Sequence, residues 1–242
     1  MAPTVFTPTL KSLINEYGSK RDSSFEILYF GLLGVSANFF TMLAIAGADF
    51  KSFSPKDWPS EKPTKPFGYL PVLKEITSDG KIIELVESDA IERYIAQKFG
   101  FAGDDLYEQT MVNVFVNSSA SLLEKFYISY AMNEDIKTKA ENRVKFFEVA
   151  LPQWIEAHER HLLANGSTGH YLGNKVTIAD IKSALIVRLA RTLSGDELIS
   201  QEKTPALWKL KTEIESIPNL QKWAQTEEYK ALLKSNVELV GF

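Results

Sequence analysis

The sequence predicts a small α/β domain followed by an all-helical domain. Strand and helix patterns alternate in the first part of the chain, and five of the ten prolines fall between Pro55 and Pro71. After Gly103, apolar residues recur at spacings of three and four, which is typical of amphipathic helices. The 242 residues, 45% of them hydrophobic, are enough to bury a core in each domain. The predicted organisation is a leader over residues 1–24, an α/β domain over 25–103 and a helical domain over 104–242.

The α/β domain is predicted to follow the order β-α-β, a crossover, then β-β-α. Ser78-Asp79-Gly80 indicates a hairpin turn between two of its strands. The proline-rich crossover can form neither a regular helix nor a central strand. The predicted elements are a strand ending at Phe30, a helix up to Gly47, a short strand around Phe50 and Phe53, strands at Leu70–Ile76 and Lys81–Val86, and a helix that begins at Ser88.

The second domain is predicted to contain only helices. Two long apolar stripes run from Val112 to Tyr130 and from Val144 to Leu162, and Pro152 should bend the second or lie near a turn. Thr177-Ile178-Ala179-Asp180 predicts a capping box at the start of a further helix, with Asp in the acidic position. The helix that follows should point its aliphatic residues inward.

Composition excludes several classes of function. The charge balance of 27 − 31 = −4, without a basic block, argues against nucleic acid as a partner. The absence of cysteine excludes disulfides and thiolate metal sites and fits the cytoplasm. Ile27–Ala48 lacks charge and is long enough to span a bilayer, but its glycines and alternating start favour a strand, a turn and a helix. We therefore expect no membrane association.

Several common catalytic motifs are missing from the sequence. It contains neither a phosphate-binding loop nor a dinucleotide fingerprint, and no Gly-x-Ser-x-Gly elbow. His158 and His161 lie three residues apart, but the sequence places no further ligands with them, so no metal is expected. Because the chain contains no cysteine, any thiol chemistry must use a thiol that a ligand brings.

Three features lie where the α/β domain should bind a ligand. Tyr29 lies at the end of the first strand, and Glu87-Ser88-Asp89 precedes a helix whose amides could bind a carboxylate. Pro71 lies at a strand entry, where a cis bond would aim the backbone at a ligand. Each feature also has a purely structural explanation: a core aromatic residue, a helix cap and a turn.

Together these residues resemble the soluble glutathione transferases, most closely their sigma-type branch. The resemblance runs from about Phe25 to the end of the chain. It rests on five segments in the family's order: Leu28-Tyr29-Phe30, Asp57-Trp58-Pro59 with Lys62, Pro66–Leu73, Glu87–Tyr94 and Thr177–Asp180. The resemblance implies a thioredoxin-like domain that binds glutathione, followed by an all-α domain with a hydrophobic substrate site.

The resemblance also implies the role of each site residue. Tyr29 would stabilise the glutathione thiolate, and the product would be a conjugate with a hydrophobic electrophile. Isomerase or peroxidase activity could accompany this reaction, whose family role is detoxification. The implied glutathione-binding residues are Trp58, Lys62, Tyr69, Leu70, Pro71, Glu87 and Ser88. An apolar pocket between the domains would use Leu123, Phe126, Tyr127 and Tyr130, and the family's two-fold dimer predicts a homodimer to which Phe67 contributes.

The sequence departs from the family pattern after the tyrosine. Gly34-Val35-Ser36-Ala37 stands where sigma-type relatives usually have Gly-Arg-Ala-Glu, so a positive charge near the sulfur is lost. Ser36 or Asn38 could replace Tyr29 as the partner of the sulfur. The lost arginine also motivates an alternative function, a glutathione-binding carrier of apolar ligands or a structural relative like the lens crystallins.

Overall fold

The computed structural model describes residues 6–240, which form two compact units. The first unit contains the described residues up to Phe101 together with Pro218–Leu239, and the second contains Ala102–Ile217. The sequence predicts a boundary after residue 103 and a second domain that runs to the end of the chain. The structure differs in two ways, because the boundary follows Phe101 and the C-terminal segment returns to the first unit.

The first unit is a four-stranded sheet with helices. Its strands are β1 (Ser24–Leu28), β2 (Asp49–Phe53), β3 (Val72–Ile76) and β4 (Ile82–Val86), and its helices are α1 (Pro8–Tyr17), α2 (Ala37–Ala46), α3 (Trp58–Glu61), α4 (Ser88–Phe99), α10 (Pro218–Ala224) and α11 (Glu227–Val240). The strand order is β2-β1-β3-β4, with β1 parallel to β2 and the other pairs antiparallel. This arrangement confirms the predicted thioredoxin-like class.

The crossover contains more helix than its prolines suggest. α3 is a single turn, and a 3₁₀ turn at Lys62–Thr64 follows it. Pro59 and Pro63 lie in the first positions of these turns. A helix makes no internal bond with the amides of its first turn, so the missing proline N–H costs nothing there.

The leader is part of the first unit. α1 ends at the buried Tyr17, whose carbonyl accepts a 2.7 Å hydrogen bond from Lys98 Nζ. Lys98 also forms a 2.9 Å ion pair with Glu75, and both side chains are fully buried. The hydroxyls of Ser23 and Tyr94 donate to the same Glu75 carboxylate. Two residues of the leader thus complete the hydrogen bonding of a buried ion pair.

The C-terminal helices pack on α2 and the sheet. The Trp223 ring stacks on Phe40 at a centroid distance of 6.0 Å and contacts Phe50 at 5.7 Å. Asn219 Nδ2 donates to the Ile45 carbonyl at 3.3 Å. The first unit therefore gains part of its core from residues more than 170 positions away along the chain.

The second unit is helical, as predicted. Its helices are α5 (Leu106–Glu124), α6 (Ile136–Lys145), α7 (Leu151–Ala164), α8 (Ile178–Ser194) and α9 (Pro205–Glu215). Two π-helical segments, Lys125–Ala131 and Phe146–Ala150, interrupt the long helices. Pro152 lies in the first turn of α7, directly after the second π segment, so it causes no break.

The capping box predicted at the start of α8 is present. The backbone amide and the hydroxyl of Thr177 both donate to Asp180 Oδ2 at 2.7 Å, and the Tyr171 amide donates to the other oxygen at 2.9 Å. Asp180 is fully buried. The box therefore joins the loop before α8 to the first turn of that helix.

Replacing Thr177 with Ala should lower the free energy of unfolding by about 1 kcal/mol, because the helix loses its N-cap side chain. Urea denaturation followed by circular dichroism measures this loss. Thr192→Ala is the matched control, since its hydroxyl bonds only the Arg188 carbonyl within the exposed part of α8. The control should change stability by less than about 0.5 kcal/mol, and an equal loss in both variants would contradict the capping role.

Within residues 6–240, no helix combines the length and apolar character that crossing a membrane requires. In the same part of the chain, no three His, Cys, Asp or Glu side chains are grouped in a way that could hold a metal ion.

Candidate active site

Strand register brings the three candidate segments to one edge of the sheet. Leu28 pairs with Val72, and Val72 pairs with Val86, so these residues form one row across three strands. The next position beyond this row is occupied in each case by a predicted site residue. Those residues are Tyr29 after β1, Pro71 before β3 and Glu87 after β4.

A cleft of about 390 Å³ opens at this edge. The described residues that line it are Val35, Phe67, Tyr69, Leu70, Pro71, Val86, Glu87 and Ser88. Five of the seven predicted glutathione-binding residues are in this set. The peptide bond between Leu70 and Pro71 is cis.

Tyr29 lies beside the cleft wall that Val35 forms. It directly follows β1, and its amide donates to the Phe53 carbonyl at 2.9 Å. A Cβ atom added to Gly34 would lie 2.9 Å from the Tyr29 hydroxyl oxygen, so the glycine lets the backbone approach the phenol. Burial raises the pKa of Tyr29, and a hydrogen bond from the Val35 backbone acts in the opposite direction. The phenol is therefore protonated at neutral pH, with its proton available to donate.

The two alternative partners for the sulfur are enclosed. Ser36 is fully buried, and its hydroxyl donates to the Leu33 carbonyl at 2.6 Å. Asn38 is 3% exposed, and its side-chain amide has no hydrogen-bond partner among the described residues. Tyr29, Ser36 and Asn38 are all outside the set of residues that line the cleft, but Tyr29 is only half-buried whereas Ser36 and Asn38 are buried.

The start of α4 forms the opposite wall. Glu87 has a backbone φ of 68°, a left-handed conformation that a residue other than glycine adopts at a cost of about 1–3 kcal/mol. This conformation turns the chain from β4 directly into α4, so Ser88 is the first helical residue. Of the first turn of α4, Ser88 lines the cleft. A helix N-terminus of this kind favours a bound carboxylate.

Trp58 and Lys62 do not line the cleft but contact residues near it. The Trp58 ring meets Phe30 edge to face at 5.7 Å, and Phe30 contacts the Tyr29 ring at 5.4 Å. Lys62 Nζ lies 5.6 Å from the centre of the Tyr69 ring, a cation–π contact at an exposed site. Lys62 thus contacts a residue that lines the cleft, and Trp58 contacts the neighbour of Tyr29.

The four residues predicted to bind the hydrophobic substrate differ in how far they are buried. Phe126 is fully buried and Tyr130 is 8% exposed, and both pack against Phe146 within the second unit. Their ring surfaces therefore contact the core of that unit. Leu123 and Tyr127 are only half-buried and keep accessible surface. All but Leu123 belong to the π-helical segment 125–131, a conformation that is frequent at functional sites.

Phe67 and Val86 also line the cleft, although the sequence suggests no glutathione contact for either. Phe67 is exposed and meets the Phe6 ring edge to face at 5.8 Å. Val86 is the last residue of β4, and its apolar side chain gives no signal beyond ordinary strand packing. An exposed aromatic residue in a proline-rich loop is the signal that could have identified Phe67.

The sequence is similar to those of known glutathione transferases. Residues 123–227 match the family model described as Glutathione S-transferase, C-terminal domain. The chain is 26% identical to "Probable glutathione S-transferase 7" of Caenorhabditis elegans, over 84% of this chain and 96% of that protein. It is 28% identical to "Hematopoietic prostaglandin D synthase" of Gallus gallus, over 86% and 99%.

Solved structures share the fold. The sigma class enzyme of Fasciola hepatica superimposes with a TM-score of 0.72 at 23% identity, covering 84% of this chain and 96% of that one. At this identity the likeness establishes the fold. In sequence the chain is similar to cytosolic glutathione transferases over most of its length, and residues 123–227 match the model of their C-terminal domain.

Proposed function

We propose that the protein is an enzyme that transfers the sulfur of glutathione to hydrophobic electrophiles. The observation that carries the proposal is the position of the Tyr29 hydroxyl, which lies against the backbone of Gly34, the residue before Val35 of the cleft lining. The cleft is also bordered by the start of α4, which suits the γ-glutamyl carboxylate. A thiol and its carboxylate anchor therefore find complementary groups in one cleft.

The phenol would act on the ionisation of the thiol. A free thiol with a pKa near 8.5 is only about 3% thiolate at pH 7. A hydrogen bond from a neutral phenol to the sulfur anion contributes about 1.5–3 kcal/mol, which lowers the thiol pKa by about one to two units. Burial raises the pKa of Tyr29, so the phenol keeps its proton while the thiol loses one.

The remaining groups would hold the peptide. The Ser88 hydroxyl and the first amides of α4 bind the γ-glutamyl carboxylate, and Glu87 accepts from the ammonium group. The Leu70 backbone pairs with the cysteinyl backbone, and Trp58 and Lys62 hold the glycyl end. Of the described residues that line the cleft, Glu87 alone is charged, so the anchoring of both peptide carboxylates depends on amides, hydroxyls and the nearby Lys62.

The electrophile would contact an apolar surface of the second unit. Leu123 and Tyr127 keep the accessible surface that such contact requires. We place the reaction in the cytoplasm, and we propose that two chains form a two-fold homodimer. Sedimentation equilibrium should therefore give twice the chain mass of 27.2 kDa.

Isomerase activity is a second candidate. The similarity to a prostaglandin D synthase, 28% over nearly its whole length, favours it. In such a reaction glutathione would leave the site unchanged, because the thiolate would open a substrate bond and then depart. Assay of glutathione recovery separates the two activities, since conjugation consumes the thiol and isomerisation does not.

Titration of the bound thiol tests the proposal. Glutathione bound to the protein should show far-ultraviolet thiolate absorbance with a pKa about one to two units below that of free glutathione. With a chloronitrobenzene, the sulfur forms a C–S bond, chloride leaves with the C–Cl electron pair and the thiol proton passes to solvent. If glutathione binds but neither thiolate nor turnover is detected, the protein is a carrier and the enzymatic proposal is wrong.

A further inference from the structure

The last helix is anchored at its beginning to the edge of the sheet. Glu228 Oε1 accepts a 2.8 Å hydrogen bond from the Ser52 amide, and the Ser52 hydroxyl donates to the same oxygen. The Tyr229 ring meets Trp223 edge to face at 4.7 Å. Ser52 lies one residue before the end of β2, beside the end of β1. α11 therefore starts close to the edge from which Tyr29 emerges.

Further along α11, Asn236 contacts the loop between β1 and α2. Its side-chain oxygen accepts a 2.8 Å hydrogen bond from the Gly34 amide. Asn236 follows Glu228 by eight residues, which corresponds to about 12 Å along a helix. α11 thus holds the first unit at two separated places, the Ser52 backbone and the Gly34 backbone.

Gly34 is in direct contact with the phenol of Tyr29. A Cβ atom on Gly34 would lie 2.9 Å from the hydroxyl oxygen and 3.0 Å from a ring carbon. Its φ of 42° is in the left-handed region, which glycine adopts without steric cost. A shift of the Gly34 backbone would therefore change its contact with the phenol.

We propose that Asn236 is a positioning residue for the thiolate site: by binding the Gly34 amide it holds the Gly34 backbone against the phenol of Tyr29 and so keeps the phenol proton directed to the sulfur. This inference rests on the proposed function. Without the Asn236 acceptor, the Gly34 amide loses its 2.8 Å hydrogen bond, and the backbone that packs against the phenol is free to shift.

Asn236→Leu tests the proposal, because leucine has a similar volume and no acceptor. We expect kcat/KM for conjugation to fall about fivefold, with the pKa of the bound thiol raised and the KM for glutathione changed less than twofold. Asn219→Leu is the matched control. Asn219 also joins the C-terminal segment to the first unit, through the Ile45 carbonyl at the other end of α2, and its replacement should leave all three quantities unchanged.

A double variant separates positioning from general destabilisation. If Asn236 acts through Tyr29, Asn236→Leu should cause no further loss of activity in a Tyr29→Phe background. An equal fivefold loss in both backgrounds, or a bound thiol pKa equal to that of the wild type, would overturn the inference. Asn236→Ser, whose short side chain does not reach Gly34, replaces the leucine variant if that one does not fold.

The two proposals fail in different ways. If the wild type forms no thiolate, the proposed function falls and the role of Asn236 with it. If the wild type forms the thiolate and Asn236→Leu forms it equally well, the role of Asn236 alone is refuted.

Discussion

Replacing Tyr29 with Phe is expected to lower kcat/KM for glutathione conjugation at least tenfold. The variant keeps the ring that contacts Phe30 and loses only the hydroxyl beside Gly34 and Val35. Without the donor, the pKa of the bound thiol should rise by about one to two units toward that of free glutathione. Steady-state kinetics and the thiolate titration measure the two effects independently.

The loss of activity in Tyr29→Phe should depend on pH. Because burial raises the pKa of Tyr29, the phenol stays protonated across neutral and mildly alkaline pH and adds no titration of its own there. The rise of activity with pH therefore follows the thiol alone. In Tyr29→Phe the same rise should occur at higher pH, so the loss is largest near neutrality and shrinks as the solution becomes alkaline.

Ser36→Ala is the matched control for Tyr29→Phe. The Ser36 hydroxyl is buried against the Leu33 carbonyl, so its removal should leave the thiol pKa unchanged. Unchanged activity in Tyr29→Phe together with a loss in Ser36→Ala would transfer the catalytic role to the serine.

Replacing Lys98 with Met should lower the free energy of unfolding by about 3–5 kcal/mol. The change removes the cation 2.9 Å from Glu75 and leaves a carboxylate in a fully buried position. The Tyr17 carbonyl also loses its partner. Calorimetry or urea denaturation of the variant measures the loss.

An exposed pair on the same sheet provides the control. Lys74 and Glu84 lie 3.8 Å apart on β3 and β4 with their side chains partly in solvent. Lys74→Met should cost less than about 1 kcal/mol, because water screens the remaining charge. A loss of that small size in Lys98→Met as well would show that the buried pair contributes nothing special to stability.

The sequence predicts those parts of the fold that depend on local pattern. Alternation before Gly31, the hairpin turn at Ser78-Asp79-Gly80 and the Thr177 capping box all act over a few residues, and the structure contains each of them. The edge that joins Tyr29, Pro71 and Glu87 was also predictable, because strand ends at one edge of a sheet meet. The strand register that aligns these three residues, however, is known only from the structure.

Long-range contacts account for what the sequence does not predict. Nothing in the pattern of residues 218–239 shows that Trp223 packs on Phe40, because an amphipathic helix does not specify which core it covers. Nor does the sequence predict that the end of α1 contacts α4, where Lys98 Nζ donates to the Tyr17 carbonyl. The π segment at Lys125–Ala131 has the same apolar spacing as an α-helix, so periodicity does not distinguish them.

The two segments of the first unit are translated before and after the second unit. Trp223 and Glu228 emerge from the ribosome long after the sheet on which they pack. Until then the rings of Phe40 and Phe50 lack their contact with Trp223, and the Gly34 amide lacks its hydrogen bond to Asn236. The sheet can therefore acquire these contacts only after the helical unit has been translated, and until then part of its apolar surface stays exposed.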